Sequence, residues 1–280
     1  MNTRSINPQP DFPQPDLAQR DLPEWDGASY AANTAHHRAH DDRFLAPLAL
    51  RGDEDIVDVG CGSGDLTAKI AALVPDGHVL GLDAQPSMLD EARVVARPNQ
   101  SFVLAAAQDL ASAAAPESAD VVLSRATLHW VPAEDQAVVL AGMAAVLRPG
   151  GRVRIECGGA GNVAGIQGLL DDVSSSVGGP TDPWCFADAG WYLERLEAAG
   201  FRVADNDVVT VAQRRPFDRA GLEAWIDSQA AMAYEVGMTA EQRSEFRAGV
   251  AARIDEMRRS DGSYDLTYVR LEAFAHRPPG

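Results

Sequence analysis

The sequence predicts an open α/β fold: a seven-stranded, mostly parallel sheet covered by helices. Three observations predict it. Short apolar runs alternate with helical stretches from Asp55 to Glu156, the pattern of a parallel sheet covered by helices on both faces. The first run, Ile56-Val57-Asp58-Val59, breaks into Gly60-Cys61-Gly62-Ser63-Gly64 before a helix opening at Asp65. A second run, Val79–Asp83, ends in an acid 19 residues after Gly64.

Residues 1–24 hold Pro8, Pro10, Pro13, Pro15 and Pro23 among Asn, Gln and Asp, a composition expected to stay a flexible tail. One domain is expected over residues 25–280, opening with a helical stretch from Ala28 to Leu50. Strands are expected at Asp55–Val59, Val79–Asp83, Gln100–Leu104, Val121–Ser124 and Arg152–Glu156, with a Pro149-Gly150-Gly151 turn before the fifth. Gly158 to Ala187 reads as loop, and Trp191 to Ala199 as a helix ended by Gly200. Phe201–Gln213 reads as the sixth strand. Tyr264–His276 reads as the seventh, where Leu266, Tyr268, Arg270 and Glu272 recur at every second position. Residues 219–260 between them read as helices.

Composition narrows the function classes. Hydrophobic residues make up 46% and charged residues 23% of the chain, ordinary for a globular protein. The net charge of -17 argues against nucleic acid or an anionic membrane as partner, because both are held through basic patches. Cys61, Cys157 and Cys185 show no C-x-x-C spacing, which fits a reducing cytoplasm. No run is long or apolar enough to span a membrane, and the first residues lack the apolar core of a signal peptide. The expected partner is a small molecule; the oligomeric state is not legible.

The glycine loop narrows the ligand. Alternate glycines allow a sharp bend and leave no Cβ to obstruct a molecule lying across it. A dinucleotide loop has G-x-G-x-x-G, with glycine where this chain has Asp65. That carboxylate would repel a phosphate, so a ligand with a cationic or zwitterionic part suits the loop better. Asp83, at the tip of the second strand, can accept both hydroxyls of a ribose, a placement shared by nicotinamide and S-adenosylmethionine folds. Helix capping is the other reading of Asp83. An acid followed by G-x-G-x-G resembles the first motif of the class I S-adenosylmethionine-dependent methyltransferases.

That resemblance covers roughly residues 28 to 276, with its specific motifs in the first half. It implies a Rossmann-like fold with an antiparallel last strand, a helical lid over about residues 219–260, and S-adenosylmethionine as cofactor, held by Asp58, Gly60, Gly62, Gly64, Asp83, Ala84 and Met88. It implies that the end of the fourth strand, at Ser124, meets the methionine amino group, and that Tyr30 folds over the site. The family's usual Gly-Asp-Ala after the third strand is replaced by Ala105-Ala106-Ala107. Adenine contacts are therefore expected from the Ala107 N–H and from Gln108 or Asp109, whose rival reading is ordinary loop polarity.

The acceptor side is read from Leu128-His129-Trp130-Val131. Such a His-Trp pair resembles small carboxylic-acid methyltransferases, of the trans-aconitate and juvenile hormone acid kinds. An indole wall excludes water and an imidazole can donate or accept a proton, so His129 and Trp130 are candidate catalytic residues; core filling is the alternative. Arg125 is expected either to meet an acidic substrate through its planar fork or to form a surface salt bridge. Trp184, Phe186, Trp225, Met232 and Tyr234 are candidates for the pocket wall or for helical core. His36 and His40 share a helix face, and His36 is a candidate to reach the acceptor. No metal is expected there, since the glutamate of an H-E-x-x-H pattern is missing.

A carboxylate acceptor needs no base at neutral pH, its pKa being roughly 4. A phenol, amine or carbon acceptor would make His129 or His36 the base. Cyclisation, decarboxylation or aminopropyl transfer on the same fold, a cofactor-binding scaffold, and a nicotinamide dehydrogenase are the alternatives in other classes.

Overall fold

The structure, a computed structural model, describes residues 40–280. The expected tail and most of the expected first helix, with Tyr30 and His36, lie outside the described residues. A short helix α1 (Asp41–Leu45) runs into a 3-10 turn, Ala46–Leu48, stopped by Ala49 at φ 45°. The expected end at Leu50 is therefore two residues late.

The seven strands are β1 (Asp55–Val59), β2 (His78–Asp83), β3 (Gln100–Leu104), β4 (Ala119–Arg125), β5 (Leu147–Gly158), β6 (Val208–Phe217) and β7 (Tyr264–His276). Their order across the sheet is β3-β2-β1-β4-β5-β7-β6. The first five pair in parallel, whereas β7 is antiparallel to both β5 and β6. Chain order reverses between β1 and β4, and open sheets of this type form their crevice at that point, beyond the carboxyl ends of the strands.

Burial explains the strand compositions. All five residues of β1 are buried, as expected of a parallel strand covered on both faces. One face packs Leu80, Val122 and Val153 against Leu140 and Met143 of the helix Gln136–Val146. The opposite face packs Val79 and Leu123 against Ile70, Phe44 and Leu48. A separate apolar core joins residues 163–173 to residues 222–254 and to the first residues of β7.

Three expectations are corrected. The span 158–187 is not all loop, since it contains the helix α2 (Ala164–Ser176). Its buried Ile166, Leu169, Leu170 and Val173 recur at helical spacing, a signal hidden by the flanking glycines and serines. The sixth strand starts at Val208 rather than Phe201, because a turn from Ala204 to Asp207 with Asn206 at φ 67° interrupts the run. β4 and β5 extend beyond Val121–Ser124 and Arg152–Glu156, carrying Arg125 and Gly158 to the crevice. The helical block consists of Arg219–Trp225, a π turn Ile226–Ala230, Ala231–Glu235 and Ala240–Arg253. A reciprocal Thr239–Gln242 capping box starts the last of these.

Candidate functional site

Backbone conformation makes the glycines of the first loop necessary. Gly60, Gly62 and Gly64 have φ of 75°, 55° and 80°, where side chains are strained. A Cβ on Gly60 would also lie 2.1 Å from Thr127 Cγ2, so the loop rests directly on the end of β4. Gly64 does a different job. Its Cβ would lie 2.8 Å from the Ala92 backbone, and its absence lets the helix after the loop approach the helix Pro86–Val94.

The carboxylate of Asp83 joins the two strand ends. Its Oδ2 accepts from the Gly62 N–H at 2.9 Å and its Oδ1 from the Gln85 N–H at 2.9 Å. Burial still raises its pKa above the usual carboxylate range. Asp58 is 2% exposed and accepts from the Thr67 hydroxyl at 2.7 Å. Burial pushes its carboxyl up to about 6, with Asp83 adding to the effect.

Both acids line a crevice with about 210 Å³ of open space at the sheet's reversal point. Gly60, Gly62, Ala84, Met88, Ala107 and Gln108 also line it, as does Trp130. Gly64, Asp109 and Ser124 do not. Ser124 is fully buried and its hydroxyl donates to the Val59 carbonyl at 2.8 Å, tying β4 to β1; Arg125, Ala126 and Thr127 form that wall instead. Gln108 Nε2 donates to Asp135 at 3.0 Å, which leaves its carbonyl oxygen as an acceptor. Among the described residues no cation lies within ion-pair distance of Asp58 or Asp83. Two acids so placed, beside a loop whose glycines keep side chains away, fit a ligand with one positive centre and hydroxyl donors.

A second cavity, about 100 Å³, adjoins the first through Ala126 and Trp130, which line both. Its walls are aromatic. Trp184 stacks on Phe186 at 5.4 Å, Trp130 meets Trp184 edge-on at 5.9 Å, and Trp225 meets Tyr268 edge-on at 6.3 Å. His129 stands among these rings, 5.7 Å from Phe186. Its Nδ1 accepts from the Gly158 N–H at 3.2 Å, which assigns the ring proton to Nε2. The apolar surroundings hold its pKa near 4, so at neutral pH it is an uncharged donor.

Two other groups on this wall stay protonated at neutral pH. Burial raises the Cys157 thiol and the Tyr268 phenol. Glu156 is tied to Arg125 at 3.4 Å.

Arg125 forms a buried ion pair instead of the expected surface one. It bonds Asp41 of α1 and Glu156 of β5, and lies 5.5 Å from the centre of the Phe44 ring. Glu272 of β7 bonds Arg43 and Arg154 in the same layer. Of the candidate wall residues, Trp184, Phe186 and Trp225 line the second cavity, whereas Met232 and Tyr234 do not. Tyr234 is fully buried and donates to Asp171 at 2.9 Å. His40 lines neither cavity. Sequence reasoning missed Gln229, Tyr268 and Arg270 as wall residues; the alternation of β7 was the signal available for the last two.

Comparison with known proteins agrees with this geometry. Residues 56–151 match a family model described as a methyltransferase domain. The chain is 28% identical to an uncharacterized methyltransferase of Schizosaccharomyces pombe over 90% of this chain and 98% of that one. It is 29% identical to a trans-aconitate 2-methyltransferase of Methylobacterium radiotolerans, over 91% of this chain and 98% of that one. In fold it is similar to a Haemonchus contortus phosphoethanolamine N-methyltransferase solved with S-adenosyl-L-methionine. There the TM-score is 0.57 at 16% identity, covering 91% of this chain and 57% of that one.

Proposed function

We propose that this chain, an S-adenosylmethionine-dependent methyltransferase, methylates a carboxylate oxygen of a small acid seated in the aromatic cavity. One observation carries the reading. Among the described residues, the imidazole on the cavity wall is not available as a base at neutral pH: His129 has its Nδ1 lone pair engaged and a pKa near 4. A carboxylate alone among the common acceptors arrives already deprotonated, with a pKa of roughly 4. The relatives named trans-aconitate 2-methyltransferase, after an acid, support the same reading.

In this proposal the cofactor lies in the larger crevice, where its sulfonium supplies an already activated methyl group. Asp58 faces the amino group and Asp83 accepts the ribose hydroxyls. Ala84 and Met88 flank the adenosine, and Ala107 with Gln108 meets the adenine. Trp130, shared by both cavities, walls the point of transfer against water, and the Nε2–H of His129 orients the acceptor. Alignment and dehydration are the enzyme's contributions to a single displacement. The helices of residues 219–260 serve as a lid over the acceptor. On resemblance alone, Tyr30 closes the cofactor side and His36 reaches the acceptor.

The test is a panel of acids, phenols and amines incubated with methyl-labelled S-adenosylmethionine. Transfer to acids is expected. Transfer to phenols or amines with all acids inert would overturn the assignment.

A further inference from the structure

Building on the acceptor cavity assigned above, we propose that Arg270 pairs with a second anionic group on the acceptor. The substrate is then a flat, apolar-bodied acid with two anionic groups, one of which is methylated.

The register places Arg270 on the cavity wall. Arg270 of β7 stands opposite Gly158 of β5, and directly opposed residues of an antiparallel pair share one face of the sheet. A Cβ on Gly158 would lie 2.4 Å from Phe186 and 2.8 Å from Asn162 Nδ2. That face is the cavity, and Arg270 lines it.

Charge balance makes Arg270 the surplus cation. Glu156 and Glu272 lie two positions away on the same face, but other partners hold both. Arg43 and Arg154 bond Glu272, and Arg125 holds Glu156 and Asp41. Four guanidinium groups thus share three carboxylates, and among the described residues no carboxylate lies within ion-pair distance of Arg270. Gln229 Nε2, on the same wall, is buried with no hydrogen-bond partner, and the Nε2–H of His129 is a third donor. An excess of donors selects an oxygen-rich anion and disfavours a cationic amine.

Distance separates this anion from the methylated one. Ala126, at the junction of the cavities, bonds Glu156 of β5 through its backbone N–H. Arg270 is on β7, one strand further. At ~4.8 Å per strand its backbone is roughly 10 Å from the junction. Trp184, Phe186, Trp225 and Tyr268 supply flat apolar surface between the two ends. One guanidinium balances one additional anion, and a third carboxylate would have no cation there. This distinguishes the expected substrate from an aliphatic triacid.

The test reads binding and transfer separately on the full chain loaded with S-adenosylhomocysteine. Quenching of the cavity tryptophans measures affinity for terephthalate, for its monoamide, and for propane-1,2,3-tricarboxylate. The dianion should bind at least tenfold more tightly than the monoamide and the triacid. Arg270→Gln should reduce the preference over the monoamide to within twofold, and Arg270→Lys should restore part of it. Calorimetry should give one S-adenosylmethionine affinity for all three proteins. Equal binding of dianion and monoamide, no binding of either, tighter binding of the triacid, or an undiminished preference in Arg270→Gln would overturn the proposal. Label transfer tells its failure from that of the carboxyl reading. Esterification of diacid and monoamide with equal kcat/KM sinks only the Arg270 assignment. Arg270-dependent binding with label on a non-carboxyl atom sinks only the acceptor assignment.

Discussion

Asp58 is an acid that folding makes harder to ionise. Its pKa rises to about 6 in the folded chain from roughly 4 unfolded. The folded protein therefore holds the proton more tightly. The resulting contribution favours folding below pH 4 and is lost as pH rises through 6, a penalty of about 3 kcal/mol at neutral pH. A positive ligand centre beside the carboxylate would offset that penalty. Cofactor affinity should fall about tenfold per pH unit below 6, while Asp58→Asn should bind weakly with no pH step and melt higher than wild type at pH 7. Titration calorimetry and thermal scans across pH 5–8 check both; an identical pH step in the variant would contradict the assignment. Asp83→Ala should weaken cofactor binding about 30-fold or more, the worth of hydrogen bonds to a charged group, and unchanged affinity would remove the ribose assignment. His129 titrates near 4, so kcat/KM for the acceptor at saturating S-adenosylmethionine should stay flat from pH 6 to 8. A rise centred near 6.5 would restore a base role for this imidazole.

At the scale of elements, the crevice depends on how α1, β4 and β5 are held together. Asp41, Arg125 and Glu156 are each under 9% exposed, and removal of one buried partner leaves the others poorly compensated. Asp41→Ala should cost about 3 kcal/mol, read as a lowered denaturation midpoint with an unchanged slope. Little change in the midpoint would show that Glu156 alone suffices for Arg125. The glycine loop is constrained more tightly still. In Gly60→Ala the new methyl would meet Thr127 in a left-handed backbone conformation, a strain of about 1–2 kcal/mol before any clash. A lowered melting temperature is expected together with lost cofactor affinity, and native values of both would contradict the close packing of loop and strand. The loop was legible because its constraint is local: three left-handed turns in five residues leave few choices but glycine. The ion-pair layer was not, because Arg125 and Glu272 are 147 positions apart and only the β4–β5–β7 register brings them to either side of Glu156.

For the molecule as a whole, the sheet was readable from strand composition and periodicity. β1, β3 and β7 have the expected ends, since apolar or alternating runs flanked by polar turns define them. The apolar spacing inside the helix Ala164–Ser176 was present but masked by Gly and Ser, so a helix was read as loop. The acceptor cavity was legible only in part. His129 and Trp130 follow the fourth strand directly, whereas Gln229 and Arg270 reach the wall through a helical block and an antiparallel ladder whose packing is not encoded in local pattern. The two adjoining cavities, one acidic and one rich in donors and aromatic rings, are the basis for proposing an anionic acceptor beside the positively charged methyl donor. The most direct measurement is the chemical stability of the methylated product. Label transferred from S-adenosylmethionine should be released as volatile methanol by mild alkali, as from a carboxylic ester. Label that stays non-volatile after that treatment would contradict carboxyl methylation.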